Sequence, residues 1–322
     1  MAETPNDPHP ATIMLDVHAH LIPTGPQIEK FAGVNWNGSD EVLRIDGHAI
    51  GLKPLFRRQA LLDWMDLHQV ATAWISAPPP TYRPHLPLPE AAAWVEFLNT
   101  GLAALAGGAG GRLAALRHLP VEHPALAAAI AAEPLGAHEA GFSMASGQAQ
   151  GSGLSDSAYE PLWRALADAG HFLLIHPGES DDARLAPFYL GNLVGNPVET
   201  GIAAAHLVLG GVPHRYPAMK ICLAHAGGIT AILAGRLQRG FDTSRPDMDL
   251  SLPPPASLLR RLWVDCIAHD PAAHALAASV HGQNHILFGS DWPFPMGLPE
   301  PHAQLAGLPA DQRAALFRRR PG

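Results

Sequence analysis

A chain of 322 residues, 47% of them hydrophobic, can bury the core of one large α/β domain. Its net charge of −8 argues against nucleic acid or an anionic membrane as partner, and no run is long and apolar enough for a transmembrane helix. Pro (32) and Gly (31) accompany a normal apolar fraction, which points to tight loops on a rigid frame rather than disorder.

The opening stretch MAETPNDPHPAT is polar and Pro-rich, without a basic n-region or an apolar h-region, so neither a signal peptide nor an anchor is expected there. Eight short apolar runs then recur: TIMLDVHAH (12–20), VATAWISAP (70–78), RLAALRHLP (112–120), AGFSMAS (140–146), HFLLIHPG (171–178), KICLAHAGG (220–228), RLWVDCIAHD (261–270) and HILFGSDWP (285–293). Most are nearly continuous, as strands buried on both faces are. Helical patterns fall between them, over 57–68, 91–105, 124–133, 159–170, 198–209, 229–240 and 271–280. Alternation of strand and helix predicts a (β/α)8 barrel of the TIM type, one domain over residues 1–322. A doubly wound open sheet is the alternative, but no GxGxxG follows the first strand.

Residues 24–56 break the alternation. They contain NWNGSD and RIDGHAIG, whose NG and DG pairs are hairpin signals, so an insertion with a small β-hairpin is expected above the barrel mouth. Residues 147–157 and 241–256 read as loops, and the C-terminal FRRRPG as exposed. The two cysteines, Cys222 and Cys266, sit in apolar runs; so few point to a reducing compartment, and a cytoplasmic location is expected.

Active sites of such barrels lie at the C-terminal ends of the strands. Here those ends are loaded with ligating groups. The first carries His18 and His20, which the period of a strand puts on one face with Asp16. The fifth ends in His176, the sixth in His225, the seventh in His269-Asp270 and the eighth in Ser290-Asp291-Trp292-Pro293. Three imidazoles (His18, His20, His176) and the Asp291 carboxylate make a four-ligand shell suited to Zn²⁺ or another borderline divalent ion, with a position left for water. His225 is then placed to move a proton as acid/base. Isolated histidines such as His85, His138 and His206 read as surface or loop residues, and Cys222 as a buried structural cysteine. Further candidates for the pocket wall are Pro79, Tyr82, Arg83, His118, Trp292 and Phe294, with His269 and Trp292 taken as substrate contacts.

These stretches together resemble the amidohydrolase superfamily, and within it the branch of aminocarboxymuconate semialdehyde decarboxylase and aromatic acid decarboxylases. The resemblance runs from about Leu15 to Leu298 and rests on DVHAHLIP, LLIHPGE, NPVETGIAAAHLVLGGVPHRYPAMKICLAHAGG, AGRLQRGF, AHDP and LFGSDWPFPMG. It implies metal binding by His18, His20, His176 and Asp291, and acid/base work by His225, with Asp291 as a further catalytic group. It implies a substrate-binding role for Arg236, reaching a neighbour's site in a homodimer. The family's binuclear members use a lysine on the fourth strand; AGFSMAS has none, so one ion is expected, Zn²⁺ or else Mn²⁺. The decarboxylase's second arginine has no counterpart, because Gly51 falls at about its place, with His48, Lys53 and Arg57 nearby. The implied activity is non-oxidative decarboxylation of a small unsaturated or aromatic acid. Hydrolysis of a lactone, amide or C–C bond on the same site is the alternative, and a non-enzymatic metal-binding protein ranks third.

Overall fold

The computed structural model describes residues 11–25, 27–147, 153–178, 180 and 182–322. The first ten residues of the polar opening, and residues 148–152 of the expected loop, lie outside the described residues. Each of the eight apolar runs forms a strand: β1 (Asp16–His20), β5 (Ala73–Ser76), β6 (Leu113–Leu119), β7 (Glu139–Ala145), β8 (Phe172–His176), β9 (Lys220–Leu223), β10 (Trp263–Asp265) and β11 (Ile286–Leu287). They are parallel and neighbour one another in chain order. Backbone bonds from Val17 N to Phe288 O (3.0 Å), Asp291 N to His18 O (2.7 Å) and His20 N to Trp292 O (2.8 Å) join the last strand to the first and close the barrel.

The helices α1 (Arg58–Leu67), α2 (Leu88–Gly107), α3 (Pro124–Ala132), α4 (Glu160–Asp168), α5 (Asn196–Leu209), α7 (Thr230–Asp242) and α9 (Pro271–His281) match the expected segments. Short helices α6 (Val212–Arg215), α8 (Pro255–Leu259) and α10 (Pro301–Gln304) and the C-terminal α11 (Ala310–Arg318) complete the shell. None is long and apolar enough to cross a membrane among the described residues. Two apolar layers follow from the strand period. Leu15, Val17, Leu116, Phe172, Leu174, Cys222, Ala224 and Leu287 fill the inside of the barrel. Their strand neighbours, such as Ile75, Ala115, Phe142 and Ile175, pack outward against helix residues such as Trp94 and Trp163.

One expectation is extended and two change. The insertion holds the expected hairpin with a third antiparallel strand beside it: β2 (Val34–Asn37), β3 (Val42–Ile45) and β4 (His48–Ile50). Asp46-Gly47 makes the tight turn, with φ of 51° and 87° as a type I′ turn requires. Asn37-Gly38 does not; its side chain accepts from Ser39 N (3.1 Å) and opens a longer loop. The seventh strand stops at Asp265 instead of running to Asp270, because the Asp265 carboxylate accepts from Ile267 N (3.0 Å) and turns the chain. Asp270 caps α9 by accepting from Ala272 N (2.8 Å) and Ala273 N (3.0 Å). Finally, the C-terminal segment is not wholly exposed. Phe317 is buried against Phe288, and its carbonyl accepts from Met14 N (2.8 Å).

Candidate metal centre

The end of β1 is irregular where the chemistry begins. Leu15 and Val17 point into the barrel, yet His18 and His20 also face its mouth. The pleat therefore slips, and the register against β5 shifts between Asp16 and Ala19. The expected grouping of Asp16 with the two histidines fails for this reason. Asp16 turns to the last strand instead, accepting from the backbone of His18 (3.0 Å) and Ser290 (3.0 Å) and from the Ser290 hydroxyl. Burial pushes its pKa up to about 7 despite those bonds.

His18, His20, His176, His225 and Asp291 converge at the mouth. The imidazoles of His18, His20 and His176 lie with centroids 5.0–5.1 Å apart. Each is held from behind through Nδ1. That of His18 meets Asp265 Oδ2 at 2.7 Å, that of His20 meets Ser76 Oγ at 3.1 Å, and that of His176 meets the Pro177 carbonyl at 2.9 Å. All three Nε2 atoms are left for the centre. The Nε2 atoms of His18 and His20 stand 3.1 Å apart, and Asp291 Oδ1 is 3.4 and 3.1 Å from them. His176 Nε2 is buried with no hydrogen-bond partner among the described residues.

This arrangement fits a divalent cation. Lone pairs from fully buried imidazoles repel unless a positive charge sits among them, and the backing acceptors fix the tautomer that presents Nε2. Electrostatics favours the same answer. Burial pulls the His18 pKa down, but Asp291 and Asp265 outweigh it and push it up to about 10. Asp291 is held well below the usual carboxylate range, since the charge of His18 overcomes the penalty of burial. His176 and His20 are both lowered, first by burial. Four ligating atoms, from His18, His176, His225 and Asp291, lie within 4.8 Å of one another, and His20 closes on two of them.

His225 differs from the other imidazoles. Its side chain is 17% exposed where those of His18 and His20 are fully buried, and its Nε2 lies 3.5 Å from Asp291 Oδ2. The turn that carries it is strained, with φ of 55° at His225 and 53° at Ala226. Asp265 stabilises the turn by accepting from His225 N (2.9 Å) and Ala226 N (2.8 Å). The AHAGG glycines have a steric reason: a Cβ on Gly228 would stand 2.3 Å from the Pro197 carbonyl. The glycine of GSDW has another, since a Cβ on Gly289 would come within 2.9 Å of both His18 Cβ and Asp265 Cβ.

Asp265 is the group that sequence reasoning missed. It was hidden inside WVDCIA, read as one strand. A single carboxylate in a buried apolar run is itself a signal, because such a charge needs a partner.

Two cavities meet at His225 and Asp291. The larger, about 800 Å³, is lined by His176, Tyr189, Asn192, Phe294 and residues of the following loops. The smaller, about 250 Å³, runs under Leu193, Ile232, Leu276 and His269. Phe294 also sets its ring edge-on to His20, at 5.5 Å. His269 is exposed at the rim of the smaller cavity, at φ 56°. Trp292 is buried in the core and lines neither cavity. Pro79, Tyr82, Arg83 and His118 line a third, adjoining cavity. Of the residues near Gly51, His48 reaches a cavity wall, whereas Arg57 is ion-paired with Glu41. Cys222 is buried inside the barrel, outside the ligating group. Arg236 lies on α7, one turn beyond Ile232 of the smaller cavity but not in the lining of either, and without a hydrogen-bond or ion-pair partner among the described residues.

The family model described as Amidohydrolase matches residues 15–319. Among curated proteins, 2-amino-3-carboxymuconate-6-semialdehyde decarboxylase of Dictyostelium discoideum is 34% identical over 150 residues, covering 46% of this chain and 42% of that protein. The match thus spans less than half the length of this relative. Among solved structures, 5-carboxyvanillate decarboxylase from Sphingomonas paucimobilis aligns with a TM-score of 0.78 at 18% identity, over 96% of this chain and 97% of that one. A second 5-carboxyvanillate decarboxylase, from Novosphingobium aromaticivorans DSM 12444, complexed with manganese and 4-hydroxy-3-methoxy-5-nitrobenzoic acid, aligns with a TM-score of 0.71 at 21% identity, over 83% and 79%. At these identities the two structures speak to the fold alone.

Proposed function

The chain belongs to the amidohydrolase family, and from that premise we propose that it is a metal-dependent, non-oxidative decarboxylase of a small aromatic or unsaturated carboxylic acid. The observation that carries this reading is the set of three buried imidazoles, each backed through Nδ1, aimed with Asp291 at one point where His225 meets a substrate-sized cavity. The decarboxylases among its relatives supply the reaction class.

His18, His20, His176 and Asp291 would hold one divalent ion, Zn²⁺, with Mn²⁺ as the alternative suggested by the manganese in the Novosphingobium protein. When bound, such an ion supplies Lewis-acid charge for a carboxylate or a neighbouring oxygen. His225 is the proton-moving residue in this reading. It is the most exposed of the five groups, and both cavities that reach Asp291 also reach it. The carbon bearing the carboxylate takes a proton from His225, whose ring the ionised Asp291 faces at 3.5 Å. The C–C bond then breaks, its electrons return to the unsaturated system, and CO₂ leaves. His269, at the rim of the smaller cavity, is assigned to substrate contact; Trp292 supports the end of β1 through its carbonyl.

Among the described residues, neither cavity that reaches Asp291 is lined by Lys or Arg. Remaining negative charge on the substrate therefore needs a cation from elsewhere, and Arg236 of a second copy is assigned that part, in a homodimer. Exposed Ile232 (75%), Leu276 and Leu193 beside the smaller cavity give such a contact an apolar face. A cytoplasmic location accords with two buried free thiols, Cys222 and Cys266.

A CO₂-release assay tests the reading. Protein stripped of metal and reloaded with Zn²⁺ or Mn²⁺ is offered hydroxybenzoates, heteroaromatic acids and muconate semialdehydes, with Asp291→Asn as control. Metal-dependent CO₂ that vanishes in the control supports it. Metal-dependent opening of lactones or amides, with no CO₂ from any acid, moves the protein to the hydrolases.

A further inference from the structure

The third cavity, of about 530 Å³, lies beneath the three-stranded insertion. It shares His48, Pro79, Pro80 and Gly178 with the wall of the metal-facing cavity, so a ligand held at the metal can extend into it. Two polar side chains in its wall have no hydrogen-bond partner among the described residues. His118, on β6, is 1% exposed, and neither ring nitrogen has a hydrogen-bond partner among the described residues. Tyr82, 5% exposed, stacks on it (centroids 4.8 Å apart, planes at 15°), and its hydroxyl is also unpartnered among the described residues. The ring of His118 is not loosely held. Asn99 grips its backbone on both sides, accepting from N at 2.7 Å and donating to O at 3.1 Å. Buried donors and acceptors are normally satisfied by protein, water or ligand, so orphans lining a cavity mark a place where something binds.

The chemistry of the occupant follows from charge. Burial pushes the His118 pKa down to about 4, so the ring is neutral and offers one donor and one acceptor. Burial also raises the Tyr82 pKa, which leaves its hydroxyl intact as donor. The cation of this cavity, Arg83, is already engaged. It donates to Asp46 twice, at 2.8 Å, and to the Ala32 carbonyl at 2.6 Å. Glu122 adds a carboxyl to the same wall, and His48 and His85 sit exposed at its edge. An incoming carboxylate would lose its water and find no free positive charge deep inside.

We infer that His118 and Tyr82 form a recognition site for a neutral substituent that both donates and accepts hydrogen bonds, an amide or a hydroxyl, at the end of the substrate remote from its reacting carboxylate. The site selects against a second carboxylate there. The inference rests on the reading of the metal-facing cavity as the place of the reacting carboxylate.

Titration calorimetry on the metal-loaded protein tests it with three probes: 4-acetamido-2-hydroxybenzoate, its apolar isostere 4-isobutyl-2-hydroxybenzoate, and 2-hydroxyterephthalate. The amide is expected to bind about tenfold tighter than either of the others. Tyr82→Phe, which removes one oxygen and keeps the stacked ring, should cut that preference several-fold. His118→Leu should bring it close to one, with thermal melting to report whether each variant is folded. The inference is overturned if the native protein does not prefer the amide, if it prefers the dicarboxylate, or if the preference survives in folded Tyr82→Phe. CO₂ release from the same preparations keeps the two readings apart. Amide preference without CO₂ overturns decarboxylation and leaves this site standing; CO₂ without amide preference does the reverse.

Discussion

The metal centre and the cavity around His118 share one barrel mouth, and both are built on strand-end histidines, yet they are finished in opposite ways. At the proposed metal centre each imidazole assigned to the ion is backed from behind, by Asp265, Ser76 or the Pro177 carbonyl. At His118 neither nitrogen has a partner among the described residues. Imidazoles crowded round a charge need a second ring of bonds to hold tautomer and angle against mutual repulsion. A ring meant for a neutral ligand is better left with both nitrogens free, fixed by stacking and by its backbone. The contrast teaches that hydrogen bonds behind a histidine distinguish its role more sharply than burial does, for both kinds are nearly inaccessible.

The contrast can be broken by substitution. The largest effect is expected of Asp291→Asn, which keeps the shape and removes the charge that pairs with His18, His20 and His225. Metal-dependent CO₂ release should fall by about 10³-fold, in the range of a lost acid/base or ligand group. Metal content measured alongside shows whether the ion is lost with the activity. Near-native turnover would remove Asp291 from the chemistry.

Next comes pH. His118 titrates near 4 in the fold, whereas an imidazole in the unfolded chain takes its proton near 6.5. Between those values the unfolded state binds more protons, so the stability contribution is whole above about pH 6.5 and is lost as pH falls toward 4. Native protein should lose about 3 kcal/mol more than His118→Leu across that window, by denaturant melts of both. His281 is lowered to about 4 as well, which is why the difference between the two proteins, rather than the native slope, is the measurement. Parallel curves would mean that His118 is not held neutral.

Asp265→Asn tests the backing itself. The Asn keeps the volume but weakens the grip on His18 Nδ1 and removes the charge behind the His225 turn. Metal affinity should drop about 10–100-fold, read by competition with a chelator. An unchanged affinity would show that the backing carboxylate shapes the fold and not the ion site.

Much of this was legible beforehand. Alternating apolar runs predicted the barrel, and an HxH pair with later strand-end histidines and a terminal Asp predicted the convergence, because strand ends in a closed barrel must meet. What escaped depends on departures from a regular strand. The slip after Val17 sends Asp16 to Ser290, and the turn at Asp265 ends its strand early; neither has a period to read. His118 and Tyr82 were visible as pocket residues, but their lack of partners is a property of packing across three elements.

Among the described residues neither region offers its ligand a free cationic side chain, since Arg83 is bound to Asp46 and the metal-facing cavities hold no Lys or Arg. That shared lack makes Arg236 the sharpest test of how the two halves of a substrate are held. If Arg236 serves the site of a second copy, Arg236→Ala should raise KM about tenfold, as loss of a hydrogen bond to a charged group does. The decisive measurement is complementation. Arg236→Ala has intact ligands and Asp291→Asn has an intact arginine, so a mixed dimer regains one complete site of its two. Random exchange of equal amounts should restore about a quarter of the native sites. At substrate well below KM, a mixture no more active than the average of its parents would keep Arg236 away from the partner's substrate and leave the ion as the carboxylate's main counter-charge.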